Sequence, residues 1–521
     1  MEVVPLFLIA IDRQSPLPVY RQICDRIAAL VDDRTLRPGD RLPPTRLLAR
    51  TAGVHRSTVV RAYEELAALG YLDSRCGAYS TVRRRARPPA TRAAAAADRD
   101  RASLLDWAAL ATPGGRAALA DLSPATVDEG APPDAIDLSR LTADPGLAPH
   151  DELRRCLKSV LARAGGAALD YGDVAGWPPL REVIAARMRV HGIAVSADEV
   201  LVTAGAQQAM DLALRLLTGP GDRVAVEAPT YGMAHALLRL HRLAPLEIPL
   251  RDDGLDLDAL AAALRRRRPK LVYTMPNFHN PTGITTGQAH RERLLALCEK
   301  HRVPILEDGF EEEMKYFGQA VLPIKSMDAR GVVLYVGTFS KVVFPGLRIG
   351  WIAAPRAAIA RLAAIQRASC LTGNTLAQAA AARFCAGAPF EVYLRRAHRT
   401  YRRRMETLLR ALAAEMPPDV TWTRPPGGFT LWLRLPGAAA DEARLCARAA
   451  REGVLISPGR RFFARRPDTG HARLSITCAD ETQIHEACRR LGRALRQPGG
   501  EFDRGGSPGH PHRRALPESG S

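Results

Sequence analysis

The chain has 521 residues, 46% of them apolar, which is too many for one ordinary domain and enough for two or three with packed cores. Its formal net charge of +19 favours an anionic partner, nucleic acid first, although arginine is frequent along the whole chain. Nine scattered cysteines without a Cys-x-x-Cys pair argue against a disulfide framework and favour a reduced, cytoplasmic location. The longest early apolar run, residues 3–11, is far too short to span a membrane.

Composition divides the chain into four parts. Residues 15–83 have a compact helical pattern, and residues 84–135, rich in Arg, Ala, Gly and Pro, are predicted to be a linker. Residues 136–495 alternate apolar strands with helical stretches, which predicts an α/β domain around a mainly parallel sheet. Residues 496–521 have the composition of a disordered tail. His, Cys and Glu do not recur at metal-ligand spacing, so we expect no metal site.

The first part has the pattern of a helix-turn-helix. Apolar residues recur at helical spacing from Val19 to Val31, and Pro43-Pro44-Thr45 opens a second, short helix. Gly53 permits a tight turn, and a third helix begins near His55 or Arg56. Two helices joined by a glycine turn, with basic residues at the start of the second, are typical of DNA-binding domains. The alternative is a small helical domain with a solvated basic face.

The candidate DNA contacts lie on these helices and on the hairpin that follows them. A hairpin over residues 71–82 would serve as a wing. The candidates, all placed to reach phosphates or base edges, are Arg46, His55, Arg56, Ser57, Thr58 and Arg61, with Arg75 and Gly77 at the tip of the wing. We interpret the arginine runs 265–268 and 402–404 as solvated helix faces rather than DNA contacts.

A lysine follows a predicted buried strand in the stretch GTFSKVVFPGLRIGW, residues 337–351. An unpaired ammonium is costly to bury, so Lys341 needs a partner or a covalent link. A desolvated lysine at a strand end suits Schiff-base formation with an aldehyde, and pyridoxal 5′-phosphate is the obvious aldehyde. Taken alone, such a lysine is more often a surface or salt-bridged residue.

The other groups that this cofactor needs occur at strand ends along the same part of the chain. Asp308 could pair with the ring nitrogen, Tyr231 could stack on the ring, and Asn280 could bond to the phenolic oxygen. The predicted phosphate donors are the hydroxyls of Thr338 and Ser340, the Arg348 guanidinium and the turn Gly205-Ala206-Gln207, which opens a helix. Each residue singly could be a cap, a turn or a core residue, but their conjunction predicts the cofactor.

Both halves of the chain resemble known families. Residues 18–82 resemble the winged helix-turn-helix of GntR-type bacterial regulators through RPGDRLPPTRLLA, GVHRSTVVRAYEELAALGYL and the closing Gly77, although Tyr79 stands where a second wing glycine is expected. Residues from about 137 to 495 resemble fold-type I pyridoxal-phosphate enzymes of the aspartate aminotransferase class through YGDVAGWPPLR, TAGAQQAMDL, GDRVAVEAPTYG, NPTG, EDGF, GTFSK and GLRIGW. The implied fold is multidomain, with an α/β fold-type I domain that carries a smaller C-terminal α+β subdomain.

The aminotransferase resemblance implies specific roles. It makes Lys341 the covalent anchor of the cofactor and Asp308 the partner of the ring nitrogen. Tyr171 would lie near the phosphate, reaching in from the partner subunit. Arg473 in HARLSIT would bind a substrate α-carboxylate, with Arg460 as an alternative.

The sequence departs from this family pattern at Phe310. These proteins commonly have a tyrosine there that donates to the ring oxygen. Asn280 would then be the main donor, and we expect altered or weaker catalysis rather than loss of the cofactor.

A GntR-like domain joined to an aminotransferase-like domain resembles the MocR family of bacterial regulators. The resemblance implies a transcriptional regulator that binds double-stranded operator DNA and uses pyridoxal phosphate to sense an amino acid, an amine or the cofactor itself. It also implies a head-to-tail homodimer. The alternatives are an active aminotransferase of an α-amino acid with an appended DNA-binding domain, and a cofactor-bound scaffold that neither turns over nor responds.

Overall fold

The computed structural model describes most of the chain in two compact units, divided between residues 106 and 107. The described residues are 11–73, 79–83, 106–122, 131–318, 321–435, 442–465 and 470–496. The predicted wing-tip contacts Arg75 and Gly77 and the predicted tail from residue 497 onward lie outside them.

The first unit is a three-helix domain with a short hairpin. Its elements are α1 (Val19–Asp32), α2 (Thr45–Thr51), α3 (Arg56–Ala68), β1 (Leu72–Asp73) and β2 (Thr81–Val82), the two strands pairing antiparallel. The predicted inward-facing residues of α3, Val59, Tyr63 and Leu66, are buried against α1 and α2. Gly53 adopts the left-handed φ of +63° that the turn between α2 and α3 requires.

Two helices and one short strand lead from the predicted linker into the second unit. They are α4 (Trp107–Leu110), α5 (Pro113–Leu122) and β3 (Ile136–Asp137). Gly114 in α5 is buried, and a Cβ added to it would lie 2.4 Å from the carbonyl oxygen of Leu240. Helix α5, which falls in the predicted linker, therefore packs against the helix Gly232–Leu240 of the second unit.

The second unit is built around an eight-stranded sheet. Its strands are β4 (Val200–Thr203), β5 (Arg223–Ala228), β6 (Ala244–Arg251), β7 (Gly254–Leu255), β8 (Leu271–Thr274), β9 (Ile305–Asp308), β10 (Val333–Thr338) and β11 (Gly350–Ala353). In the order β4-β11-β10-β9-β8-β5-β6-β7, the five strands from β10 to β6 are parallel. Strands β11 and β7 run antiparallel to their neighbours. The predicted mainly parallel sheet is confirmed.

Helices cover the faces of this sheet, and a smaller antiparallel sheet follows later in the chain. The helices are α6 (His150–Leu169), α7 (Pro178–Val190), α8 (Ala206–Leu217), α9 (Gly232–Leu240), α10 (Leu257–Arg266), α11 (Gln288–His301), α12 (Arg356–Cys370), α13 (Thr375–Cys385), α14 (Ala388–Glu415), α15 (Glu442–Arg451) and α16 (Glu481–Arg496). Strands β4, β8, β9 and β10 are buried along their whole length because helices shield both faces, as expected for a parallel sheet. None of the described helices combines the length and hydropathy needed to cross a bilayer.

The smaller sheet lies in the C-terminal part of the second unit. Its strands, in the antiparallel order β12-β13-β16-β15, are β12 (Thr421–Trp422), β13 (Thr430–Leu435), β15 (Ser457–Pro458) and β16 (Gly470–Ser475). A further strand, β14 (Val454–Leu455), pairs parallel with β3. Helices α14, α15 and α16 pack together around these strands, which confirms the predicted α+β subdomain.

The topology brings several loops to one edge of the large sheet. Parallel strands end at the same edge, so the residues that follow β4, β5, β8, β9 and β10 gather there. In open α/β sheets, ligands bind at this carboxyl edge.

Candidate functional site

One side of the candidate site is formed by the N-terminus of α8. Gly205 caps this helix with a φ of +88°, and no side chain of the cap accepts its first N–H groups. A Cβ at Gly205 would lie 2.5 Å from Nη2 of Arg348, and a Cβ at Gly350 would lie 2.5 Å from the carbonyl carbon of Gly205. Glycine at both positions therefore permits the close approach of Arg348 to the helix N-terminus, which is an electropositive place.

Arg348 is fixed beside the loop that carries the lysine. It has a left-handed φ of +53°, which is uncommon for a residue with a side chain and is often found at functional sites. Its guanidinium donates to the Ala204 carbonyl oxygen at 3.2 Å and to the Ser340 hydroxyl at 3.3 Å. The predicted donor Thr338 instead gives its hydroxyl proton to the Ile349 carbonyl oxygen at 3.0 Å and accepts from the Ser340 N–H. Thr338 thus holds the turn after β10.

Asp308 ends β9 and is almost completely buried. The Tyr273 hydroxyl donates to its Oδ2 at 2.9 Å, whereas Oδ1 has no hydrogen-bond partner among the described residues. Burial raises the pKa of Asp308 to about 6, against the opposing hydrogen bond from Tyr273. A buried carboxyl with one unpartnered oxygen is costly unless a cation or donor meets it, so this atom is available to such a group.

Lys341 follows β10, the strand adjacent to β9. Its Nζ donates to the Leu141 carbonyl oxygen at 2.6 Å. Burial lowers the pKa of this lysine; Glu311 and Asp308 oppose the shift, while Arg473 and Arg348 add to it. A lowered pKa increases the fraction of uncharged amine, which is the nucleophilic form.

Three further predicted residues complete the other end of the site. Tyr231 caps α9 and is half-buried, and burial raises the pKa of its hydroxyl to about 12. The buried Asn280 accepts from the Arg473 guanidinium at 3.1 Å. Arg473 lies in β16, where burial lowers its pKa to about 10, and it also donates to Ser457 at 3.2 Å. Arg460, the alternative carboxylate ligand, is exposed.

One cavity joins most of these positions. Nine residues predicted from the sequence line it, namely Ala206, Gln207, Tyr231, Asn280, Asp308, Thr338, Ser340, Lys341 and Arg348. Met210, Met275 and Phe310 line it as well. Tyr171 does not, and its side chain is exposed. The two methionines and Tyr273 were not predicted, because nothing local in the sequence separates them from ordinary core residues.

The candidate DNA contacts occupy the surface around the start of α3. Arg46, Arg56, Ser57 and Arg61 are exposed. His55 has a structural task, since its Nδ1 accepts from the Ser57 N–H at 3.3 Å and caps α3.

Two arginines of this domain lie over tyrosine rings. Arg61 stacks over the Tyr20 ring at 4.0 Å, which ties α3 to α1. Arg41 lies over the ring of Tyr79 at 5.6 Å, so the tyrosine that replaces a wing glycine packs against the body of the domain.

Comparisons with known families identify both units. Residues 19–81 match the family of bacterial regulatory proteins named gntR, and residues 144–491 match aminotransferase class I and II. The transcriptional regulator TauR of Rhodobacter capsulatus is 35% identical over 88% of this chain and 93% of its own length. The probable rhizopine catabolism regulatory protein MocR of Rhizobium meliloti is 31% identical over 93% of this chain and 95% of its own length. The chain belongs to the MocR-type regulators of the GntR family.

Solved structures agree for the larger unit of this MocR-type regulator. The α-aminoadipate aminotransferase LysN of Thermus thermophilus, solved with N-(5′-phosphopyridoxyl)-L-leucine, is 33% identical and superposes with a TM-score of 0.68 over 75% of this chain and 98% of LysN. The multiple substrate aminotransferase of Thermococcus profundus is 32% identical, with a TM-score of 0.70 over 75% and 98% of the two chains. Pyridoxal 5′-phosphate is therefore the cofactor of this MocR-type regulator.

The site residues fit this cofactor. The unpartnered Oδ1 of Asp308 is available for a protonated ring nitrogen, and Lys341 has the lowered pKa that an aldehyde-binding amine needs. At the other end, Arg348 and the free N–H groups of α8 form a phosphate-binding arrangement. Among the described residues, no group of three or more His, Cys, Asp or Glu could hold a metal ion.

Proposed function

We propose that this MocR-type regulator senses an amino acid or amine through pyridoxal phosphate bound at Lys341 and responds by a change in its affinity for operator DNA. The observation that carries the proposal is that Asp308 ends one strand and Lys341 follows the end of the neighbouring strand. Asp308 pairs with Val336 of β10 and Lys341 follows the end of that strand, so one ring can lie between the amine and the unpartnered Oδ1. No purely structural role accounts for both groups, because a buried carboxyl oxygen without a partner destabilises a fold.

The remaining side chains would hold the two ends of the cofactor. Arg348, Ser340 and the N–H groups of Ala206 and Gln207 would bind the phosphate, where a guanidinium and a helix N-terminus both favour the anion. Thr338 would contribute by fixing the turn that carries Ser340. When bound, the cofactor supplies two things. Its aldehyde exchanges reversibly from one amine to another, and its ring withdraws electrons.

The ring itself would be held from two sides. Tyr231 would stack on the ring, and Asp308 would keep its nitrogen protonated. Asn280 would donate to the ring oxygen, because Phe310 has no hydroxyl to do so.

The ligand class follows from Arg473. Its guanidinium contacts Asn280 beside the cavity and is buried, so a carboxylate there would gain charge-assisted hydrogen bonds with little competition from water. An amine that would replace Lys341 on the cofactor aldehyde and a carboxylate that would bind Arg473 together describe an amino acid. The ligand can change DNA affinity only through different affinities for two arrangements of the protein.

The DNA-binding part would read operator DNA as a dimer. Arg46, Arg56, Ser57, Thr58 and Arg61 would contact phosphates or base edges, with His55 positioning the start of α3. A head-to-tail homodimer, located in the cytoplasm, would present two such helices to paired half-sites.

The dimer would also complete the cofactor site. The exposed side chain of Tyr171 supports this arrangement, because it is available to reach the phosphate of the partner subunit.

An aminotransferase is the second candidate function. It is favoured by the gathering of Asn280, Asp308, Lys341 and Arg348 around one cavity, with Arg473 in contact with Asn280. Conversion of the cofactor absorption to the pyridoxamine form by a panel of amino acids would support this function.

Borohydride reduction and peptide mass spectrometry test the cofactor assignment. We expect the phosphopyridoxyl mass on Lys341 of the full-length protein and none on the Lys341→Ala variant. Lys325 is the internal control, since its amine is held by Asp328 at 2.8 Å and by the Val333 carbonyl oxygen at 2.9 Å. Reduction that labels another lysine, or none, would refute the assignment.

Labelled DNA from upstream of the gene tests the sensor. The wild-type protein should change its DNA affinity with one or more amino acids, and Lys341→Ala should bind DNA without responding. Full transamination by a protein that never retains DNA would favour the enzyme instead.

A further inference from the structure

Three glutamates follow Asp308 in the sequence, and the structure gives them different surroundings. Glu312 accepts from the Asn277 amide at 2.7 Å. Glu313 is ion-paired with Arg187 at 2.8 Å and lies 3.2 Å from the ring nitrogen of His191. Glu311 has no hydrogen bond to another side chain and no ion pair among the described residues; its one hydrogen bond comes from the main chain.

Glu311 is nevertheless held in one position. It is 1% exposed, and its Oε2 accepts from the Phe429 N–H at 3.0 Å. A Cβ at Gly428, which has a φ of +72°, would lie 2.4 Å from the same oxygen, so the turn before β13 requires glycine for the carboxyl to fit. The other oxygen, Oε1, is buried without a partner in the described part of the chain.

The charged groups that face Glu311 belong to the candidate site. Lys341 and Arg473 are its cationic neighbours, and Asp308 is its acidic neighbour. Phe429, whose N–H holds Glu311, directly precedes β13, and β13 pairs with β16, the strand that carries Arg473. The charge of Glu311 also acts on the buried hydroxyl of Tyr316. Glu311 therefore lies within electrostatic range of both the cofactor lysine and the arginine proposed to bind a carboxylate.

The charge of this residue changes close to neutral pH. Burial raises the pKa of Glu311 to about 8, against the N–H of Phe429 and the charges of Lys341 and Arg473. An ionised carboxylate beside Arg473 repels an incoming carboxylate and offsets part of the arginine charge, whereas a neutral carboxyl does neither.

We propose that Glu311 is a positioning residue that controls the binding of ligand carboxylates at Arg473 through its own protonation state. Protonated, it leaves the charge of Arg473 available to the ligand; ionised, it competes with the ligand for that charge. This inference rests on the proposed function, because it assumes that the cavity next to Arg473 receives an amino acid. It goes further by naming the residue that sets carboxylate affinity.

The sign and size of the effect follow from the pKa. The protonated form dominates below pH 8, so carboxylate affinity is highest there and declines above it. With a pKa of about 8, the protonated fraction falls from about 0.9 at pH 7 to about 0.1 at pH 9. We therefore expect about a tenfold loss of affinity over this interval.

Calorimetric titration of the full-length, cofactor-loaded protein with 4-methylpentanoate tests the proposal. This probe is a monocarboxylate without an amino group, so neither its own ionisation nor reaction with the cofactor contributes between pH 7 and pH 9. We expect the tenfold loss in the wild type and a flat profile in Glu311→Gln. The amide oxygen of glutamine can still accept from the Phe429 N–H, which preserves the position of the side chain. Glu312→Gln, which neutralises the adjacent half-buried carboxyl, is the matched control and should keep the wild-type slope.

Failure of the Glu311 role and failure of the proposed function give different results. A flat wild-type profile, or equal slopes in the wild type and in Glu311→Gln, would overturn the role of Glu311. A flat wild-type profile refutes this role even where the variant does not fold. Absence of the borohydride label on Lys341 would instead refute the proposed function, irrespective of the pH profiles.

Discussion

Replacement of Gly205 by alanine tests how the phosphate end of the site is built. The added Cβ would lie 2.5 Å from Nη2 of Arg348 and 3.1 Å from its guanidinium carbon, and the residue would have to keep a φ of +88°. A side chain in that backbone region costs about 1–3 kcal/mol, and displacement of Arg348 would remove charge-assisted hydrogen bonds worth about 1.5–3 kcal/mol. The loop relaxes to relieve the backbone strain and must return to the strained conformation to bind phosphate, so both costs act on binding. After partial compensation, we expect phosphate binding to be weaker by about 2–4 kcal/mol.

This loss corresponds to a pyridoxal phosphate affinity that is lower by about 30- to 1000-fold. Titration of the cofactor-stripped protein with pyridoxal phosphate, followed by absorbance, measures it. Gly346→Ala is the matched control, since Gly346 lies in the same loop as Arg348 and a Cβ there would meet nothing within 4 Å. Equal cofactor affinity in the two variants would refute the view that Gly205 and Arg348 form the phosphate site.

Other predictions concern the acid, the linker and the DNA surface. Tyr273→Phe removes the 2.9 Å hydrogen bond to Asp308, so it should lower the free energy of unfolding by about 1–3 kcal/mol in denaturant titrations and raise the pKa of the acid further; unchanged stability would count against this contact. Gly114→Val should detach α5 and expose residues 107–122 to limited proteolysis, whereas Gly115→Ala, whose Cβ would meet only Thr112 and Ala111, should not; identical digests would contradict the packing. Arg56→Ala should reduce the salt dependence of operator binding, measured by fluorescence anisotropy, by about one unit of slope, and an unchanged slope would remove this arginine from the phosphate contacts.

The helix-turn-helix and the parallel sheet could both be predicted from the sequence because their determinants are local. Apolar spacing in α1, the glycine after α2 and continuous apolar runs in the strands are properties of neighbouring residues. The site residues at strand ends could be selected for the same reason, since motifs such as NPTG and GTFSK keep chemical groups next to the strands that carry them. The sheet then brings those strand ends to one edge.

The partners of these groups required the folded chain. Tyr273 meets Asp308 across 35 positions of sequence, and Arg473 meets Asn280 across 193. Such contacts depend on how strands and sheets pack, and a side chain placed by packing leaves no local pattern to distinguish it from ordinary core. Thr338 shows the same dependence on folding: the sequence predicts a phosphate donor there, and the folded turn adds a hydrogen bond from its hydroxyl to the Ile349 carbonyl oxygen.

The sequence alone thus determined which chemistry the chain carries, because reactive residue types and their strand-end positions are written in short segments. The tertiary structure determined how that chemistry is tuned. The burial of Glu311 near Lys341 and Arg473 and the packing of Gly114 against Leu240 both arise from distant segments meeting. Charge interactions and steric contacts act through space, so their strength could be assigned only once the distances were known.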